Sequence, residues 1–287
     1  MSLVKLFRIK HYVKNLLIFF PIIYAGKLFE LDSLFKVLIV FITFSLTASI
    51  VYIFNDIVDV EQDRLHEKKK HRPIASGEIS IKTASIIASI ILLIVSIVSL
   101  LSLNFESIFL IAIYLAINIS YTLRLKLIPI IELFVIVLGF LIRVLIGGLI
   151  IDLTITGWLF LTVLSMALYL AIGKRRNELS KTGSNTREVL ELYNYQFLDK
   201  FLYVALTMTL VFYSLWTVTY ENIFDNNFLI WTIPLVMAIT MKYSLIIESN
   251  SDGDPAEVLF SDKTLLSMVI VYVLAIFVIF YSNLVQL

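Results

Sequence analysis

The stretch Asn55-Asp-Ile-Val-Asp-Val-Glu-Gln-Asp63 follows an uncharged run from Leu46 to Phe54. If it is helical, Asn55, Asp59 and Asp63 recur every fourth residue, and Asp56 sits three before Asp59. All four then share one face, while Glu61 points away. Like charges stacked this way repel, and a cation among them offsets the cost. Hard oxygen ligands suit Mg2+, which commonly takes one or two carboxylates together with substrate phosphates. The simpler use of such residues is a solvated helix end pairing with Lys68, Lys69 and Lys70. The asparagine, the repeated spacing and the adjacent basic run favour a metal–phosphate site.

The next segment, HEKKKHRPIASGEIS (66–80), carries Pro73 and Gly77 in a turn and ends at Ser80, placed to cap the following helix. Arginine forks onto phosphate oxygens, whereas lysine supplies a point charge. Three adjacent lysines by themselves mean only a cytoplasmic anchor, but acidic ligands followed by Arg72-Pro73 are a more specific combination. A second basic run, Gly173-Lys-Arg-Arg-Asn-Glu178, lies far along the chain. Asp252-Gly-Asp254 fits an ordinary turn better than a metal site.

The elements that must position these residues are membrane spans. Of 287 residues 60% are apolar and only 16% charged, and the mean hydropathy is +0.94, the balance of a polytopic membrane protein. Cysteine is absent, which excludes disulfides, a catalytic thiol and thiolate metal sites. The N-terminal MSLVKLFRIKHYVKN has no small-residue cleavage site and reads as mature chain. Stretches that reach or approach the roughly 20 apolar residues of a span run at about 14–28, 33–54, 81–103, 106–121, 128–151, 157–172, 200–220, 227–247 and 264–285. The expectation is one all-α domain over 1–287, with about nine transmembrane helices bundled around a cytoplasm-facing cavity. Its polar loops fall near 55–80, 121–127, 173–199 and 248–263. This arrangement puts all Lys and Arg on one side except Lys27, Lys36 and Arg143, which makes that side cytoplasmic. Trp158, Trp216 and Trp231 fall near the opposite ends of their spans, as an aromatic belt.

NDIVDVEQD followed by HRPIASGEIS resembles the NDxxDxxxD motif and downstream RP…G of the UbiA-type prenyltransferase superfamily. RIKHYVKN (8–15), YTLRLK (121–126), GFLIRVLIGG (139–148), GKRRNEL (173–179) and GDPAEVLFSDKTL (253–265) are similar to its polyprenyl-phosphate phosphoribosyltransferase branch. The resemblance implies a multi-pass plasma-membrane enzyme whose cytoplasmic site uses Mg2+ to hold a pyrophosphate. Members that prenylate aromatic acceptors carry a second aspartate-rich motif in the loop after span six, where this chain has Lys174-Arg175-Arg176. One acidic and one basic motif suit phosphoribosyl pyrophosphate as donor and a polyprenyl phosphate as acceptor. Asp56, Asp59 and Asp63 are then catalytic and, with Asn55, hold the metal. Arg72 lies beside them. Lys174 and Arg175 face the 5-phosphate, and Glu178 contacts ribose or metal. Lys14, Asn15, Tyr121 and Lys126 are further substrate contacts. A phosphate nucleophile is already largely dianionic near neutral pH and needs no general base. No nucleic-acid partner is expected.

Arg143 is the one basic residue deep in a span, a costly position that is functional by default. Asp152 projects to the other side of its helix and Glu132 lies roughly 16 Å away along it, so the expectation is a structural role facing the bundle interior. Two rivals remain. An aromatic-acceptor prenyltransferase shares the fold and metal site but requires a second acidic motif. A transporter typically carries charge near the midplane of several spans.

Overall fold

The computed structural model describes residues 2–66, 69–182, 188–224, 228–248 and 255–281. Its regular elements are all helical. They are α1 (Ser2–Leu6), a 3-10 segment (Ile9–Phe19) leading into α2 (Phe20–Tyr24), α3 (Leu31–Val58), α4 (Val60–Leu65), α5 (Ile81–Ser102), α6 (Phe105–Leu123), α7 (Ile131–Leu149), α8 (Gly157–Thr182), α9 (Tyr195–Phe224), α10 (Ile233–Glu248), α11 (Pro255–Ser261) and α12 (Lys263–Tyr281), with short 3-10 turns at Lys69–His71, Leu125–Leu127, Glu188–Leu192 and Leu229–Thr232. Among the described residues eight helical segments are long and apolar enough to cross a membrane, and they coincide with the second to ninth expected spans.

The first expected span takes a different form. Instead of an α-helix over 14–28, the chain runs as eleven residues of 3-10 helix and then the five-residue α2. A 3-10 helix rises about 2.0 Å per residue, so the pair reaches about 30 Å, comparable with a hydrocarbon core. Residues three apart eclipse in this geometry, which puts Tyr12, Asn15 and Ile18 in one row, and Asn15 and Ile18 are buried. The sixth span also departs from expectation. It does not stop at 172, because α8 carries Lys174, Arg175, Arg176 and Glu178 through to Thr182. Lys, Arg and Glu are good helix formers, and Glu178 accepts from Arg175 one turn back.

The chain divides into two units. The first comprises Met1–Ile22, Lys27–Lys126 and Ile142–Leu153. Here α3 is the central helix, packed on by α5, α6 and the 3-10 segment. Its buried Thr43, Ser45, Thr47 and Ser49 keep its surface small where neighbours approach. Small polar residues suit helix contacts in lipid, where apolar burial gives no driving force between helices. Toward its charged end Leu6, Ile53, Val60, Ile74, Ile79 and Ala84 form a core. Ser80 caps α5 as expected, accepting from the Thr83 N–H at 3.0 Å, and the preceding turn needs Gly77 at φ +81°.

The second unit comprises Ile23–Gly26, Leu127–Leu141 and Thr154–Leu287. It is built on α8 against α9, with Tyr169, Ile172, Leu190, Leu198, Leu202 and Tyr243 in the core. Trp216 does not stand in an aromatic belt. It is 2% exposed and packs edge-on against Tyr24, 4.7 Å between ring centroids. A hydroxyl chain beside it joins Thr232, Tyr213, Tyr272 and Tyr24.

Candidate active site

In the first unit the carboxylates stand where the sequence places them. Helix α3 ends at Val58, yet Asp59 donates its N–H to Asn55 O at 2.9 Å and Asp63 donates to Asp59 O at 2.8 Å. The helical path therefore carries through the junction with α4, and Asn55, Asp56, Asp59 and Asp63 keep their common face. Asp56 and Asp63 are both 2% exposed, whereas Glu61 faces solvent and pairs with Arg64 at 2.8 Å. The Asn55 amide oxygen accepts from Thr122 at 3.4 Å.

Buried carboxylates require charged partners. Arg8, Arg72 and Lys126 supply such partners here, and Lys68 lies outside the described residues. Arg72, on the turn after α4, places one nitrogen 3.1 Å from Asp56 and 2.6 Å from Asp63. Lys126, just past α6, reaches Asp59 at 2.5 Å. Arg8 bonds the same Asp56 oxygen as Arg72 and lies 4.9 Å from the centre of the Tyr52 ring. Arg8 holds a left-handed backbone, φ 50°, which costs an L-residue about 1–2 kcal/mol. The ion pairs and the cation–π contact offset that strain.

Arg8 is an addition to the residues expected at the site. Its motif is visible in the sequence, but a partner 48 positions away is not. Lys126, expected as a phosphate contact, stands on Asp59. Lys14 and Tyr121 lie half-buried in the same unit. Asn15 is 1% exposed, donating to Ser45 Oγ at 2.9 Å and accepting from Arg143 Nε at 2.8 Å, which places it inside the helix packing.

Among the described residues no three His, Asp or Glu side chains form a ready-made metal cage. The donor set nevertheless fits a hard divalent ion. Asp56 and Asp63 converge on one nitrogen of Arg72, so two carboxylates already aim at a single cation-sized point. Mg2+ needs only one or two carboxylates when waters and phosphate oxygens complete its shell.

The second unit holds the other predicted group. Arg175 is 1% exposed, and its guanidinium grips Glu132 through contacts of 2.6–2.9 Å and Glu178 at 2.7 Å. The sequence offers Glu132 only as a distant neighbour of Arg143. A lone acid at the start of an apolar span is the available signal. Tyr193 closes the group, accepting from the Ile130 N–H at 2.7 Å and donating to Glu132 at 3.5 Å. Burial pushes the Tyr193 phenol up to about 12, so it remains a donor at neutral pH. Arg176 binds Asp199 at 2.8 Å and lies 4.9 Å from the Tyr195 ring centre. Of the three basic residues only Lys174 is half-exposed. Asp252 and Asp254 lie outside the described residues.

An all-helical polytopic membrane protein with carboxylates and cations gathered at the ends of its spans is the class that this fold and site define. The chain belongs to the UbiA prenyltransferase family, whose sequence model matches residues 16–263, and it is an integral-membrane transferase. It is 31% identical over 280 residues to the decaprenyl-phosphate phosphoribosyltransferase of Mycolicibacterium smegmatis, covering 92% of this chain and 87% of that one. The corresponding enzyme of Corynebacterium glutamicum is 29% identical over 284 residues, covering 96% and 85%. Among solved structures, a UbiA homologue from Archaeoglobus fulgidus bound to GPP and Mg2+ superposes with a TM-score of 0.71 at 18% identity, covering 96% of this chain and 99% of that one. A digeranylgeranylglyceryl phosphate synthase follows at 0.67 and 20% identity, covering 98% of each. These two share the fold.

Proposed function

We propose that this transferase moves 5-phosphoribose from phosphoribosyl pyrophosphate to a polyprenyl phosphate and releases pyrophosphate. The similarity to phosphoribosyltransferases over nearly the whole chain supports the reading. The observation that carries it is the make-up of the charged cluster, where Arg8, Arg72 and Lys126 stand among Asp56, Asp59 and Asp63. Such a cluster offers both metal ligands and direct phosphate donors.

In the reaction an acceptor phosphate oxygen bonds to the ribosyl C1 as the C1–pyrophosphate bond breaks. The nucleophile is already anionic, so no side chain must take its proton. Asn55, Asp56, Asp59 and Asp63 would hold Mg2+, which when bound neutralises charge on the departing pyrophosphate. Arg72 and Arg8 present forked donors to the same oxygens and Lys126 adds a point charge. With positions fixed by the helix ends, the cluster acts by orientation and preorganised charge. Lys174 is the proposed contact for the 5-phosphate, and Arg175 and Glu178 shape the helix end that presents it. The site is proposed to face the cytoplasm.

The test is direct. Purified protein given Mg2+, labelled phosphoribosyl pyrophosphate and a polyprenyl phosphate is expected to yield labelled lipid and one pyrophosphate per transfer. Prenylation of an aromatic acid from a lipid diphosphate, with phosphoribosyl pyrophosphate ignored, would assign the protein to the aromatic-acceptor branch instead.

A further inference from the structure

Arg143 sits within α7, 6% exposed, and the chemistry proposed above makes no use of it. Its Nε donates to Asn15 Oδ1 at 2.8 Å and a terminal nitrogen donates to the Tyr114 hydroxyl at 3.4 Å. The guanidinium carbon lies 4.9 Å from the Phe44 ring centre and 5.3 Å from that of Tyr114. Those two rings pack together at 4.5 Å. A planar cation held against two rings that pack on each other has little freedom, so Asn15 receives a fixed anchor.

Asn15 belongs to the 3-10 segment, which runs down α3 in antiparallel register. Arg8 meets Asp56 and Tyr52, Tyr12 meets Ser49 at 2.7 Å, Asn15 meets Ser45 at 2.9 Å, and Phe19 packs on Phe41. One turn along α7 from Arg143, Gly147 lets the Ile18 carbonyl approach so closely that a Cβ would stand 2.0 Å from its oxygen. The segment is thus fixed at its middle and lower part from α7, while its upper end delivers Arg8. At about 2.0 Å per residue Arg8 stands roughly 14 Å along the axis from Asn15, and misplacement of about 1 Å is enough to impair a positioned group.

We propose that Arg143 is a positioning residue that, by holding Asn15, fixes the 3-10 segment in the register that sets Arg8 against Asp56. The hold on the segment stands on geometry alone, while its consequence for the donor rests on the function proposed above. The absence of native cysteine allows both to be read separately. Spin labels at Lys10→Cys and Lys82→Cys, both exposed positions of the first unit, report where the segment lies relative to α5. The label-to-label distance distribution is expected to be narrow in the parent and to broaden in Asn15→Leu and Arg143→Leu.

Losing one hydrogen bond to a charged group is expected to raise KM for phosphoribosyl pyrophosphate roughly ten- to a hundredfold, with KM for the lipid acceptor unchanged. Asn15→Asp keeps the acceptor and pairs directly with Arg143. It is expected to restore both the narrow distribution and the donor KM, which a merely disruptive Asn15→Leu effect does not explain. An unchanged distribution in Asn15→Leu overturns the proposal, and so does a broadened one with donor KM intact. If the parent protein transfers no phosphoribose, the proposed function falls, while the spin-label arm still decides whether Arg143 holds the segment.

Discussion

Asp56 and Asp63 share Arg72, and Asp56 also takes Arg8, so each acid of the cluster is held by side chains that phosphate also attracts. Asp56→Asn and Asp59→Asn are expected to abolish turnover while the detergent-extracted protein stays folded, and near-normal activity in either at ordinary Mg2+ would sink the metal assignment. In the second unit, removing one partner of a buried pair costs about 3–5 kcal/mol, because the other charge is left uncompensated. Glu132→Ala is therefore expected to lower thermal stability sharply. Lys174→Ala is expected to leave stability alone and raise KM for phosphoribosyl pyrophosphate by roughly ten- to a hundredfold. Equal thermal profiles for Glu132→Ala and the parent would remove the structural role given to Arg175. The acidic face is legible in the sequence because helical periodicity alone aligns it. Its partners are not, since Arg8, Lys126 and the Glu132–Arg175 pair meet across 43 to 67 residues, a separation that local spacing cannot read.

At the scale of elements, the close contact between α7 and the 3-10 segment leaves no room at Gly147. Gly147→Ala is expected to destabilise the protein by forcing backbone apart, and a melting temperature equal to the parent's would contradict that packing. At the start of α12, Asp262 accepts from the Leu265 N–H at 2.8 Å and pairs with Lys242 at 3.0 Å. The backbone hydrogen bond first, and then the lysine, hold its carboxyl below the usual carboxylate range. A group depressed in the folded state stabilises above its unfolded pKa, near ~4, and loses that contribution as pH falls through the lower folded value. Asp262→Asn imitates the neutral acid. It is expected to melt below the parent at pH 7 and to converge with it on acidification below about pH 4, followed by thermal melts across that range. Hydropathy finds eight spans because their length and apolar content suffice. It misplaces the first because a window counts residues, whereas a 3-10 helix covers the same thickness with fewer. It ends α8 early because charge stops a hydropathy run but not a helix.

For the whole molecule, composition and the one-sided distribution of Lys and Arg are enough to read the membrane class and to set an expected orientation. In each unit the groups expected on the cytoplasmic side meet one another, Arg8 and Arg72 with Asp56 in the first, Arg175 with Glu132 in the second. A cysteine at Lys69 or Lys200 is expected to react with an impermeant reagent only from the cytoplasmic side, and one at Glu30 only from outside. Reaction of Lys69→Cys and Glu30→Cys from one common side would break the span assignment. The division into two units is not legible, because it cuts α7 between Leu141 and Ile142, inside a continuous apolar run. Hydrophobicity is uniform there, and only long-range packing distinguishes the halves.

The anchoring of the 3-10 segment on α7 also constrains how the protein is born. Arg143 is 128 residues downstream of Asn15. At ordinary rates of synthesis the ribosome needs on the order of ten seconds to make the intervening chain. Through that interval the segment has α3 beside it but lacks both the guanidinium that donates to Asn15 and the glycine that admits Ile18. A segment made before α3 therefore waits for α7 to gain its second hold, and Arg8 acquires its fixed register against Asp56 only once Arg143 and Gly147 have been made.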